Sequence, residues 1–325
     1  MFRSIQTTIM AEKKENTKFR TSIGGQALIE GIMMRGPKKQ AIVVRTTDGF
    51  VTKVEELKLL KDRYPIVGWP VIRGAVNFIS SMANGVRALM FSAEQMPEEE
   101  QEAPSKLDQW IEKRFGGEKA EKMIITLAVI IGAAISVGLF ILLPTLLAGI
   151  LDSYIHSAIL RNLAEGVLRI LIFLCYLWLA TKMKDIKRVW AYHGAEHKSI
   201  FAYEKGLELT VENARGQSRL HPRCGTSFLF IVMIVSILVF SLVTWSNVWI
   251  RMALRILLLP VVVGLSYELL KLAGRYDNLF TRILSAPGKG LQRLTTAEPD
   301  DSMLEVALEA LKLVVPEKTG EEDKW

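Results

Sequence analysis

The chain is 325 residues long and half apolar, yet 23% of it is charged, with 41 Lys and Arg against 34 Asp and Glu. A mean hydropathy of +0.24 is unusual for a soluble protein with that much charge and points to separate membrane and aqueous parts. Two cysteines exclude a disulfide-stapled fold, and with no recognisable nucleic-acid module the positive excess suits loops facing anionic lipid rather than a nucleic-acid partner.

Residues 1–22 are polar, lack the apolar core of a cleavable signal, and are expected to be disordered. Gly24 to Gly36, GGQALIEGIMMRG, is a glycine-bounded run suited to strands or a tight loop. Ile42–Arg45 and Phe50–Val54 then flank Thr46-Thr-Asp-Gly49, and a turn containing Asp-Gly between β-branched runs predicts a hairpin. From Trp69 to Gln95 the period changes: Ile72, Val76, Ile79, Met82, Val86 and Leu89 recur at helical spacing. This predicts a helix facing the core of the aqueous part, with an in-plane membrane helix as the alternative. Residues 23–96 are thus expected as a cytosolic β-hairpin and amphipathic-helix unit, followed over 97–122 by an acidic linker and a lead-in helix.

Residues 123–273 hold four nearly uncharged runs: Met123 to Leu151, Gly166 to Thr181, Ser227 to Trp245 and Trp249 to Ala273. About 20 apolar residues of helix cross a hydrocarbon layer of roughly 30 Å. Four spans are therefore expected, the second slightly short and the first bent near Pro144. Residues 182–226 carry nine Lys or Arg, whereas the loop 152–164 has only Arg161, so this middle loop and both termini are expected in the cytosol. Arg251 and Arg255 oppose that bias and would have to snorkel outward or face the bundle interior. The tail, 274–325, ends in a helix over Ser302 to Val314 capped by Asp300, Asp301 or Ser302. The fold class expected is a membrane α-helical bundle of about four spans with a small cytosolic α+β N-terminal unit.

The chemistry concentrates in Ala191-Tyr-His-Gly-Ala-Glu-His-Lys198. On a helix, His193 and His197 at i and i+4 project from one face within reach of a single ion, and two imidazoles supply half of a tetrahedral zinc site. Glu196 completes His-x-x-Glu-His, the inverted zinc-peptidase pattern, as a candidate base. Three of the four histidines, His193, His197 and His221, fall within 29 positions, and His221-Pro-Arg-Cys224 adds a nitrogen and a soft thiolate. By the expected topology Glu268 lies at the same membrane face, where a carboxylate is costly unless paired or metal-bound. His156, on the opposite face, reads as structural.

With GGQALIEGIMMRGP, YHGAEHKSI, HPRCGTSF, GLSYELLK and APGKGLQRLTTAEPDD in this order, residues 22 to 312 resemble the YqhQ-like family of uncharacterised bacterial membrane proteins, labelled as candidate metal-dependent enzymes. The resemblance implies a bacterial inner-membrane location and places the first motif and the tail in one functional unit with the histidines. Glu30, Met33, Met34 and Arg35 would then close over the site, or form a turn packed on the loop; Arg223 is a further candidate.

The leading expectation is a multi-pass protein of the plasma membrane with a cytosol-facing divalent-metal site, zinc by donor type, and hydrolase-like chemistry. His193 and His197 would be ligands, with His221, Glu268 or Cys224 completing the set and Glu196 acting as base. Two departures from the peptidase pattern, the membrane span just before the motif and the unconstrained distal glutamate, argue against assigning that peptidase family. The rivals are a non-enzymatic metal-handling or transport protein and a membrane scaffold or assembly factor with a structural metal. The partners expected are membrane lipids, an unidentified protein or substrate, and a second copy of the chain; no nucleic acid is expected.

Overall fold

The computed structural model describes residues 19–57, 64–97, 106–150, 155, 157–242, 247–276 and 278–317. In chain order come strands β1 Gly24–Leu28, β2 Gly31–Arg35, β3 Lys39–Thr46 and β4 Gly49–Glu56, then helices α1 Ile72–Glu94, α2 Lys106–Phe115, α3 Gly117–Val137 and α4 Leu143–Ile150. These are followed by α5 Ala158–Ala180, α6 Lys184–Glu204, α7 Val211–Arg215, α8 Gly225–Ser241, α9 Val248–Arg275, α10 Leu279–Thr295 and α11 Asp301–Val314. The chain divides into two compact units. The first is drawn from Met1–Leu59, Lys187–His221 and Thr296–Trp325, the second from Leu60–Ile186 and Pro222–Thr295.

In the first unit the strands form an antiparallel meander in sequence order, with Gly25 opposite Met34, Ile32 opposite Val43 and Met34 opposite Ala41. Alternation along each strand puts Ile32, Met34, Ala41 and Val43 on one face. That face packs on Ala191, Tyr192 and Ala195 of α6 and on the Met303, Leu304, Ala307, Leu308, Leu311 and Val314 stripe of α11. Asp300 accepts from the Met303 N–H at 2.9 Å and so starts α11, as one of the three expected caps. The predicted hairpin is β3–β4, turning through Thr47 and Asp48, with Gly49 at φ +125°. The glycine-bounded run is the β1–β2 hairpin, and Glu30 in its turn is left-handed at φ +48°. Residues 1–18 of the stretch expected to be disordered lie outside the described residues, whereas residues 19–22 are described. Thr21 is buried and its N–H donates to Glu204 Oε1 at 2.9 Å.

Among the described residues of the second unit three helices are long and apolar enough to cross a membrane: Met123–Ile150, Leu160–Ala180 and Trp249–Arg275. Only 6%, 22% and 17% of their most apolar windows are buried by the protein itself, so the remainder calls for an apolar surrounding. The second starts at residue 160 rather than 166, because the helix continues through Glu165, whose charge is buried and paired. The third expected span is the shorter α8, 17 residues; residues 243–246 lie outside the described residues, as does His156.

Near Pro144, where a bend is expected, the helix makes a π turn at Gly138–Leu142. Proline has no N–H to give the carbonyl four residues back, and Arg169 Nε donates to that carbonyl, Phe140 O, at 3.0 Å. The amphipathic helix expected with the β-unit is α1, and it belongs to the second unit, packed on α9. Its buried residues are Gly74, Gly85, Ala88 and Ser92, while Ile79 and Met82 of the expected core-facing stripe are exposed. Close approach decides this: a Cβ on Gly74 would lie 2.9 Å from Gly264 Cα, so the small-residue face meets α9.

Candidate metal centre

Helix α6 carries the site because its apolar positions, Ala191, Tyr192, Ala195 and Ala202, seat it in the first unit's core. One helical turn then stacks His193 over His197, with ring centroids 4.4 Å apart and donor nitrogens within 4.8 Å. His197 is 1% exposed, and its Nδ1 lies 2.5 Å from Arg219 O. A carbonyl only accepts, so Nδ1 carries the proton, and in the neutral ring Nε2 carries the lone pair. Buried Nε2 has no hydrogen-bond partner among the described residues. Fixing one ring nitrogen on a carbonyl and aiming the other at an ion is how proteins prepare a histidine ligand.

Glu196 is 5% exposed and accepts the Gly25 N–H at 2.9 Å on Oε1. Burial pushes its carboxyl up from the ordinary range, while the His193 imidazole and the Gly25 N–H pull the other way. His221 lies 5.5 Å from His197 by ring centroids, and its Nε2 is 3.6 Å from Glu204 Oε2. It therefore stands behind His197 and faces a buried carboxylate.

Residues of the tail and the first hairpin pack on this helix. Ala297 N–H donates to Trp190 O at 2.8 Å, and Gly194 leaves room for Ala297 O, which any Cβ there would strike. Glu298 pairs with the buried Lys198, and Arg219 Nη1 donates to Thr296 Oγ1 at 2.8 Å. Glu30 is held by Arg188, with Nη2–Oε2 at 2.5 Å, and accepts from Tyr192 Oη at 3.2 Å. Burial first, and then the Glu30 charge, push the Tyr192 phenol well above its ordinary value. Arg188, bonded to Glu30, is held more firmly protonated than a free guanidinium. Met34 lies in the core beneath α6, and Met33 is buried on the opposite face of β2. Arg35 ends β2 opposite Gly24.

Three predicted residues belong to the second unit. Cys224 is buried at the N-terminal cap of α8, where Sγ accepts from Thr226 Oγ1 at 3.4 Å, and Arg223 sits in the turn before it. Glu268 has both oxygens on Arg73, with Nε–Oε1 at 2.7 Å, and is further approached by Val71 N–H at 3.4 Å. The arginine pair, rather than a metal, supplies the compensation that its position demands.

Four partners escaped the sequence: Lys198 and Glu298, which pair with each other, Glu204, which faces His221, and Glu165, which pairs with Arg169. Glu204 could have been found seven residues, or two turns, beyond His197, and Glu165 four residues before Arg169. Glu298 gave no signal, since its partner is 100 positions away.

The family model described as a protein of unknown function (DUF1385) matches residues 69–317. The uncharacterized protein YqhQ of Bacillus subtilis (strain 168) is 35% identical over 294 residues, covering 88% of this chain and 90% of that protein. No solved structure matches.

Proposed function

Starting from a chain that belongs to the DUF1385 family of unknown function, we propose a multi-pass membrane protein that binds a divalent metal, zinc by donor type, for hydrolytic chemistry at the cytosolic membrane surface. The observation that carries the metal is the buried Nε2 of His197, which has no partner among the described residues, its tautomer fixed by Arg219 O, one turn from His193. Cys224, separated from His221 by only Pro222 and Arg223, is proposed as a third donor on its place in the sequence. Two imidazoles and a thiolate form a donor set that zinc takes, leaving a fourth position for water or substrate.

When bound, the ion would supply Lewis acidity to substrate or water. Glu196 is the group placed to take a proton: Gly25 holds Oε1, which leaves Oε2, and burial raises its affinity for a proton. The substrate class follows from location: membrane-proximal peptides or lipid-derived molecules. Four spans are proposed, with α8 as the third, and the positive-inside bias would put the histidine loop and both termini in the cytosol.

Elemental analysis of the full chain tests the metal: about one zinc per chain is expected, lost in a His193→Ala/His197→Ala variant. Equal, negligible metal in both would overturn it. A structural-metal scaffold is the second reading, favoured by how tightly Lys198–Glu298, Arg219–Thr296 and Gly25–Glu196 enclose the helix. Glu196→Gln separates the two, since the enzyme keeps its metal and loses complementation of a deletion strain while the scaffold keeps both.

A further inference from the structure

The second unit carries a charge cluster that the metal site does not use. Arg169 and Arg255 are 5% and 1% exposed, and both donate to one oxygen, Oε1 of Glu165, which is 4% exposed. Thr145 Oγ1 lies 3.1 Å from the same oxygen and 2.5 Å from Arg255 Nη1. Thr145 and Glu165 are each five residues, and Arg255 six, from the ends of their spans, a depth of about 8 Å at 1.5 Å per residue. Arg169 is nine residues in, about 14 Å deep and close to the middle of a hydrocarbon layer of roughly 30 Å.

Among the described residues two guanidiniums against one carboxylate leave this cluster one positive charge over, at a depth where an uncompensated charge is costly. Donor capacity is also left over. Of the five N–H groups of Arg169, Phe140 O, Ser236 Oγ and Glu165 take three, and the buried Nε of Arg255 has no partner among the described residues. The ring of Phe240 lies 5.2 Å from one guanidinium and 5.4 Å from the other.

A cavity of about 580 Å³ adjoins this cluster, lined by Phe140, Phe173, Val232, Phe240 and other apolar side chains. Among the described residues Arg169 is its one charged wall. That volume is in the range of pockets that hold small ligands, and the apolar lining suits an acyl chain.

We propose that this cavity binds a fatty-acid carboxylate, with the chain along Phe140, Phe173 and Val232 and the carboxylate against the Arg169 end of the cluster. A monoanion matches the single unbalanced charge, and a carboxylate matches the guanidinium fork. The site lies wholly within the second unit, is independent of the histidines, and rests only on this unit lying in a membrane.

Native mass spectrometry of the full chain in mild detergent tests it, with palmitate, hexadecanol and phosphatidylglycerol as probes. One palmitate per chain is expected, bound at least tenfold more tightly than hexadecanol. Arg169→Gln should lower palmitate affinity at least tenfold and leave hexadecanol unchanged, Arg169→Lys should retain more of it, and Val232→Trp should exclude both probes. Equal binding of palmitate and hexadecanol, preference for phosphatidylglycerol, or palmitate binding indifferent to both Arg169→Gln and Val232→Trp would overturn the proposal. The comparison of probes on the unsubstituted chain decides even where a variant fails to fold.

Discussion

Gly25 and Glu196, 171 positions apart, are joined by a 2.9 Å hydrogen bond from the β1 backbone to the carboxylate between the two histidines. The contact has no room to spare: a Cβ on Gly25 would stand 2.7 Å from Met33 O and 3.0 Å from both Glu196 Cδ and Met34 Sδ. Gly25→Ala is therefore expected to destabilise the first unit by about 1–3 kcal/mol, the usual cost of overpacking. It should also displace Glu196. Thermal unfolding together with metal content measures both, and a variant matching the parent in each would show that the contact is slack.

If His197 Nε2 binds zinc, metal stabilises the folded chain by mass action, about 2.7 kcal/mol at a hundredfold excess over Kd. A chelator should lower Tm, zinc should restore it, and His197→Ala should abolish the difference. A Tm that ignores chelator would remove the metal from the account.

Glu268 is expected to leave metal binding alone, because Arg73 occupies both its oxygens. Glu268→Gln should keep full metal content, whereas Glu268→Ala, which strands Arg73, should unfold more readily. The side chains of Arg73 and Glu268 are 30% and 22% exposed, so the loss should fall below the roughly 3–5 kcal/mol of a fully buried pair. Metal lost from Glu268→Gln would instead make it a ligand.

Asp300 gives the first unit a defined acid sensitivity. Burial raises its carboxyl, but bonds from Ser302 and the Met303 N–H, with the nearby Arg188 charge, outweigh burial and hold it below its ordinary 3.8. A carboxyl depressed on folding stabilises above its unfolded value, and that contribution fades as pH falls below about 4. Asp300→Asn should retain the cap and lose this part of the pH dependence, while Asp300→Ala should cost about 1 kcal/mol at neutral pH. Unfolding midpoints at pH 3 and pH 7 for the three chains measure it.

Much of this was legible locally. The β3–β4 hairpin, the Asp300 cap and the His193–His197 face each follow from residues within four positions of one another, where turn chemistry or helix period decides the outcome. Pairings over long separations were not legible. The apolar stripe of α1 suggested a soluble core, since amphipathic spacing does not say whether lipid or protein covers the apolar side, and Gly74 rather than Ile79 turned out to face α9. Glu268 looked like a ligand because its depth demanded compensation, and nothing in the sequence named Arg73 as the source. Glu165 fell just outside an apolar run, so its pairing with Arg169 went unread.

The first unit is stitched from segments that leave the ribosome far apart in time. Strands β1–β4 emerge first, α6 only after two of the long apolar helices, and α11, whose Leu304 and Leu311 fill the core behind the histidines, after the last of them. Nascent chains at every intermediate length therefore lack the wall that α11 provides, and contacts across such separations close slowly. The histidine site is finished only when synthesis of the whole membrane part is behind it, so a chain halted before residue 301 should never acquire metal, however completely α6 has been made.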